Sequence, residues 1–114
     1  MKQEIKRGEI YWVNWNPVRG SEQSGLRPAL VIQNDTGNRY SPTTIVAALT
    51  TAINKPYPFT VRITAGESGL PKDSTVNLAA IMTIDKIRLG DKCGKLSEAK
   101  MAGVNEAIKA SLGI

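Results

Sequence analysis

The chain has 114 residues, with 15 Lys and Arg against 10 Asp and Glu, one Cys and no His. A chain this long suits a single domain, residues 1–114, and at this mass folding buries about two-thirds of the surface, enough for a core without disulfides or a structural metal. The lack of His excludes imidazole acid–base chemistry and its triads, and a lone Cys makes neither an internal disulfide nor a zinc site. No apolar run approaches the length of a membrane span. The charged start Met1-Lys2-Gln3-Glu4-Ile5-Lys6-Arg7 lacks the apolar stretch of a secretory signal. A cytoplasmic protein with a reduced Cys93 and no membrane partner is expected. The net charge of +5 divides into +3 over residues 1–57 and +2 over 58–114, with no basic tail. Such a surface fits a short anionic polymer better than a long duplex.

Glu9-Ile-Tyr-Trp-Val-Asn-Trp15 is rich in β-branched and aromatic residues and reads as a strand that Asn16-Pro17 ends. A polar, glycine-containing loop runs from Val18 to Leu26. Pro28 then holds Arg27 extended, and Ala29–Gln33 is an apolar strand. Asn34–Pro42 reads as a second polar loop. Thr43–Thr51 is too β-branched and too short for a helix and reads as a central strand. Phe59, Val61 and Ile63 alternate with Thr60, Arg62 and Thr64, the pattern of a half-buried strand. Gly66–Asp73 reads as a loop, and Ser74–Leu78 and Ile81–Leu89 as two further short strands. Met101, Val104, Ile108 and Leu112 recur at helical spacing, and Ser97 can cap that helix. Short strands with turn punctuation and a terminal helix predict a mainly β fold, a small bent barrel.

Gly20-Ser21-Glu22-Gln23-Ser24-Gly25 has the glycine spacing that begins a P-loop, but Leu26 and Arg27 stand where Lys and Ser or Thr are required. Asp35, Asp73, Asp85 and Asp91 are isolated carboxylates, with no pair to hold a hard cation. What remains is cationic and hydroxyl groups at strand ends. Arg27 leads into one apolar run, and Thr50 and Thr51 close another. A guanidinium beside a hydroxyl suits a phosphodiester, since it can fork two phosphate oxygens and stabilise developing charge. An Arg beside a loop is more often simply solvated, and a Thr at a strand end is a good β-former, so spacing alone leaves the pair open.

Longer blocks carry more. Arg7-Gly-Glu-Ile-Tyr-Trp12, Gly20–Asp35 with its Arg27-Pro28, Asn38-Arg-Tyr-Ser-Pro-Thr43, Ile45–Thr50 and Ile84-Asp-Lys-Ile-Arg-Leu89 follow one another in order. Together they resemble the MazF/PemK-type toxin endoribonucleases over residues 6–112. The resemblance implies an SH3-like, plasmid-maintenance-toxin β-barrel working as a homodimer. It implies metal-independent, sequence-specific cleavage of single-stranded RNA, often mRNA, by 2′-OH attack, giving cyclic phosphate and 5′-OH ends. It also implies inhibition by a cognate acidic antitoxin and no cofactor. The family's catalytic Arg and Thr fall on Arg27 and Thr50, and Ser21 and Gln23 match its substrate-covering loop. Asn34 and Thr51 complete the expected substrate-binding set.

Arg and Thr hydroxyl are poorly matched in pKa to proton transfer near neutrality, so electrostatic and positioning roles are expected of them. Trp12, Trp15, Tyr40 and Tyr57 are candidates for base stacking. Strand alternation puts Tyr11, Val13 and Trp15 on one face and Ile10 and Trp12 on the other, so at least one Trp belongs to the core. A toxin of the same fold that binds a protein such as DNA gyrase is the alternative, as is a silent RNA-binding barrel.

Overall fold

β-Branched and aromatic residues set the strands, and in the computed structural model they form one six-stranded antiparallel sheet. The structure describes residues 4–15, 26–53 and 55–114. In chain order these form β1 (Glu9–Asn14), β2 (Leu26–Val31), helix α1 (Asp35–Tyr40), β3 (Thr43–Thr50) and β4 (Thr60–Ile63). Helix α2 (Ala65–Ser68), β5 (Ser74–Asp85), a 3₁₀ turn at Lys86–Arg88, β6 (Leu89–Lys95) and helix α3 (Glu98–Leu112) follow. The strand order across the sheet is β4-β5-β3-β2-β1-β6.

The sheet curls until its edges meet through α2, which follows edge strand β4 and packs on edge strand β6. Gly69, just beyond α2, has φ +79° and sits against the Cys93 carbonyl, while Gly94 of β6 sits against the Ser68 carbonyl. Neither position has room for a Cβ. The expected small barrel with its C-terminal helix is the observed architecture.

Period-two alternation sorts the side chains into two cores. On one face Ile10, Leu30, Leu49, Val76 and Leu78 pack under Val104 and Ala107 of α3. On the other, Tyr11, Val13, Ala29, Val31 and Val46 gather with Ile5 and Ile84. Trp12 packs against the first cluster and Trp15 against the second. Both indoles are partly buried against a core. Ser97 caps α3 by accepting from the Lys100 N–H, and Ser111 Oγ donates to the Leu78 carbonyl at 2.7 Å.

Three sequence expectations need correction, and one strand was not foreseen. The span Asn34–Pro42 is not all loop, because it contains α1. Its residues are weak helix formers, but Asn34 Oδ1 caps the Gly37 N–H at 2.7 Å, and Asn38 is buried in a closed hydrogen-bond network. Within Gly66–Asp73 the chain completes α2, held by a reciprocal capping box between Thr64 and Glu67. The two strands Ser74–Leu78 and Ile81–Leu89 are one strand as far as Asp85, interrupted where its pairing with β3 jumps from Asn77 to Ile81. The glycine-rich stretch Leu89–Lys95 is a strand in its own right, formed by irregular pairing with β1.

Candidate functional site

Strand β2 starts at Leu26 and carries Arg27 opposite Val13 of β1. Its ladder with β3 begins one residue after Pro28, which has no N–H to donate, at Ala29↔Ala48 and runs through Leu30↔Ala47 to Val31↔Val46. Arg27 and Thr50 stand two residues beyond Ala29 and Ala48 respectively, on the face those alanines share. The two side chains thus extend from neighbouring strands at one end of the sheet, past the last β2–β3 rung among the described residues.

Arg27 is exposed and Thr50 half-buried. Thr50 Oγ1 accepts from the Ala52 N–H at 3.0 Å. That bond fixes the hydroxyl's direction and leaves its own proton to donate. Thr51 is exposed beside it. On its other side Thr50 pairs with Thr75 of β5, and Thr75 pairs in turn with Arg62 of β4. Directly paired residues point to the same side, so Arg27, Thr50, Thr75 and Arg62 form a row across four strands. Nothing in the local sequence marks Arg62 or Thr75 as neighbours of Arg27 and Thr50. The alternation of Val61 and Ile63 with Arg62 was the available signal; the partner strand was not readable from it.

Asn34 stands apart, beyond the opposite end of β2, where its Oδ1 caps α1. Ser21 and Gln23 lie outside the described residues. Of the aromatic candidates, Tyr40 is 77% exposed with the Arg39 guanidinium 5.7 Å from its ring centre, and Tyr57 is 44% exposed, stacked on Phe59 at 5.2 Å.

Glu9 and Asp35, two carboxylates with lowered pKa, lie away from this end, whereas Glu67, paired with Lys100 at 3.4 Å, lies near the Arg62 side of the row. The carboxylate of Glu9, in a residue only 5% exposed, accepts from the Lys6 N–H at 2.9 Å, the Tyr11 hydroxyl at 2.8 Å and the Lys92 ammonium at 2.7 Å. Burial alone pushes its pKa up, but the Lys92, Lys6 and Tyr11 donors outweigh it and hold the carboxyl below its ordinary value. Asp35 is held low chiefly by the Arg7 N–H, which donates to Oδ1 at 2.7 Å. Burial, then the nearby Asp91 charge, push the Cys93 thiol up, which suits an unreactive cysteine. Among the described residues no group of three or more Cys, Asp or Glu side chains converges to hold a metal. A cleft of about 690 Å³ lies at the other end of β3, between α1 and the 3₁₀ turn, lined by Ile5, Tyr40, Pro42 and Ile87 among others. It is remote from Arg27 and Thr50, and its chief feature is exposed apolar surface, with Ile87 91% exposed.

A family described as PemK-like, MazF-like toxin of type II toxin-antitoxin system matches residues 6–112. The chain belongs to this toxin family. Endoribonuclease MazF of Staphylococcus saprophyticus is 51% identical over 111 residues, covering 96% of this chain and 92% of that one. The PemK/MazF fold is equally plain in solved structures. A mycobacterial endoribonuclease superposes with a TM-score of 0.80 at 26% identity, over 98% of this chain and 94% of that one. A mycobacterial endoribonuclease in complex with its cognate antitoxin gives 0.79 at 27% identity, over 96% of each chain. As a PemK/MazF member, the chain has its Arg-Pro block and its strand-ending Thr at one sheet end. Among the described residues no helix is long and apolar enough to cross a membrane.

Proposed function

We propose that this chain cuts single-stranded RNA between Arg27 and Thr50, with those two side chains as the catalytic pair. It is an endoribonuclease of the toxin type, as its 51% identical relative is named. The observation that supports the site assignment is the β2–β3 register, which puts a guanidinium and a hydroxyl near one another at one strand end on one face. With no His in the chain and no converging carboxylates among the described residues, the chemistry falls to these groups without a metal.

The ribose 2′-oxygen attacks the adjacent phosphorus, and the bond from phosphorus to the 5′-oxygen breaks. The 2′-OH loses its proton to solvent and the departing 5′-oxygen gains one. The products are a 2′,3′-cyclic phosphate and a 5′-OH end. Arg27 forks the non-bridging oxygens and stabilises the extra charge of the phosphorane. Thr50, its hydroxyl aimed by Ala52 N–H, donates to the phosphate or orients the 2′-OH. Ser21, Gln23 and Thr51 hold the substrate from the flanking segments. Asn34, beyond the far end of β2 and with its Oδ1 spent on the α1 cap, keeps its amide nitrogen to offer a distal part of the RNA.

A second copy of the chain covers the apolar end formed by Tyr40, Pro42 and Ile87, giving a homodimer. A cognate acidic antitoxin competes for the cationic RNA face, as the antitoxin complex of a structural neighbour suggests. Its site of action is the cytoplasm, where messenger RNA is exposed. The test is incubation of the purified protein with labelled RNA in EDTA, followed by end-group analysis. Fragments with 5′-OH ends are expected, and Arg27→Ala and Thr50→Ala are each expected to lose roughly 10²–10³ in rate while remaining folded. Intact RNA that is still bound would replace the enzyme with a silent barrel. Wild-type cleavage by Arg27→Ala would sink the assignment of the site.

A further inference from the structure

The row that contains Arg27 and Thr50 does not end at β3. It continues through Thr75, which is buried, to Arg62 on edge strand β4, which is exposed. Neighbouring strands lie about 4.8 Å apart, so Arg62 is about 14 Å from Arg27 measured along the sheet. That span exceeds a single internucleotide step. Between the two guanidiniums lie only hydroxyl side chains, Thr50 and Thr75, so nothing acidic interrupts the row.

Among the described residues the charge of Arg62 is unspent. Arg7 donates Nε to the Ile32 carbonyl and Nη2 to Asn105, and Arg88 donates Nη1 to the Asn14 carbonyl. Among the described residues the Arg62 guanidinium has no such partner. Nearby Glu67 is already paired with Lys100 at 3.4 Å, and Lys100 also donates to the Arg62 backbone carbonyl at 3.3 Å. The local carboxylate is thus satisfied, and the strand bearing Arg62 is tied to α3. Alternation aims Arg62 away from that core, because Val61 and Ile63 face the cluster beneath α3.

We propose that Arg62 is a substrate-positioning residue that takes a backbone phosphate of the RNA one or more nucleotides from the bond cut at Arg27. This rests on the reading of Arg27 and Thr50 as the cleavage site. The RNA then crosses the strands β2, β3, β5 and β4, with its charge gripped at both ends of the hydroxyl row. A charge on an edge strand also deters pairing with another sheet, and that role alone would leave RNA affinity unaltered.

The probe is a single-stranded octanucleotide with 2′-fluoro sugars, which lacks the nucleophile and cannot be cut. Its affinity is measured by fluorescence anisotropy across a KCl series for wild type, Arg62→Ala, Arg62→Lys and Lys109→Ala. Lys109 lies on exposed α3 and is paired with Glu106 at 3.4 Å, so its removal changes net charge without touching the row. One phosphate contact on a single strand contributes about 0.7 to the slope of log K against log salt. Arg62→Ala is expected to lose about that much slope and about tenfold in affinity, while Arg62→Lys and Lys109→Ala keep the wild-type slope. An unaltered slope in Arg62→Ala, or an equal loss in Lys109→Ala, overturns the proposal. Cleavage of ordinary RNA by Arg27→Ala at the wild-type rate overturns the site assignment instead, whatever Arg62 does.

Discussion

Asn38 joins the strand that carries Arg27 to the strand that carries Thr50, and its removal has a calculable cost. The residue is 3% exposed. Its Nδ2 donates to the Gln33 carbonyl at 2.9 Å and to Asp35 Oδ1 at 3.2 Å. Its Oδ1 accepts from Gln33 Nε2 at 3.1 Å and from Thr44 Oγ1 at 2.6 Å, and its backbone carbonyl accepts from the Lys86 ammonium. In Asn38→Ala the fully buried Thr44 hydroxyl loses its acceptor, at about 1–3 kcal/mol. The Gln33 and Asp35 ends can turn to water and add about 1 kcal/mol. The expected total is about 3 kcal/mol, a fall in Tm of about 12 °C for a domain of this size. Urea unfolding followed by tryptophan fluorescence measures it, with the midpoint falling and the m-value unchanged. Asn38→Asp sharpens the test by replacing the donor Nδ2 with an oxygen that faces the Gln33 carbonyl and the Asp35 carboxylate. The pKa of that new acid is raised in the folded state, so its deficit against wild type is largest at neutral pH and shrinks below about pH 4. If Asn38→Ala unfolds within about 0.5 kcal/mol of wild type, α1 is not held by this network.

Other outcomes follow from packing and protonation. The depressed pKa of Glu9 means its contribution is full above the unfolded value of about 4.3 and is lost as pH falls through the lower folded value. Wild type should therefore lose stability faster than Glu9→Gln on acidification below about pH 5; parallel stability curves would refute the network. Gly103→Ala lies in the exposed middle of α3 with nothing within 4 Å of its new Cβ, and should raise stability by about 1 kcal/mol in urea titration. Gly69→Ala should lower it by at least about 2 kcal/mol, because its φ is +79° and the Cβ would collide with the Cys93 carbonyl. Equal effects of the two substitutions would show that α2 does not close the barrel.

The two faces of β1 and the core face of β4 were readable from alternation. Legibility failed where that rule breaks. In β5, Leu78 and Ile81 face the same core although three positions apart. A reader of alternation therefore sees two strands in one. In α1 the propensities of Asp35, Gly37 and Asn38 argue against a helix, and long-range bonds from Gln33 and Thr44 override them. For the proposed site, Arg27 and Thr50 were singled out by the family resemblance, which rests on the Arg-Pro block and the end of an apolar run. Arg62 was not, because its relation to them depends on β5 pairing with both β3 and β4. That order is a property of the closed sheet, and no local stretch of chain encodes it.

The row across the sheet also bears on how such a protein can diversify. Leu49, Val76 and Val61 alternate with Thr50, Thr75 and Arg62 along the same three strands. One set faces the core beneath α3, and the other faces substrate in the proposed reading. Within the outward set Arg62 is the exposed member, so substitution there leaves hydrophobic packing intact and the grip on RNA can drift while the scaffold keeps its stability. Selection can thus act on an exposed strand end without disturbing either core, and descendants with different cutting preferences can share one barrel.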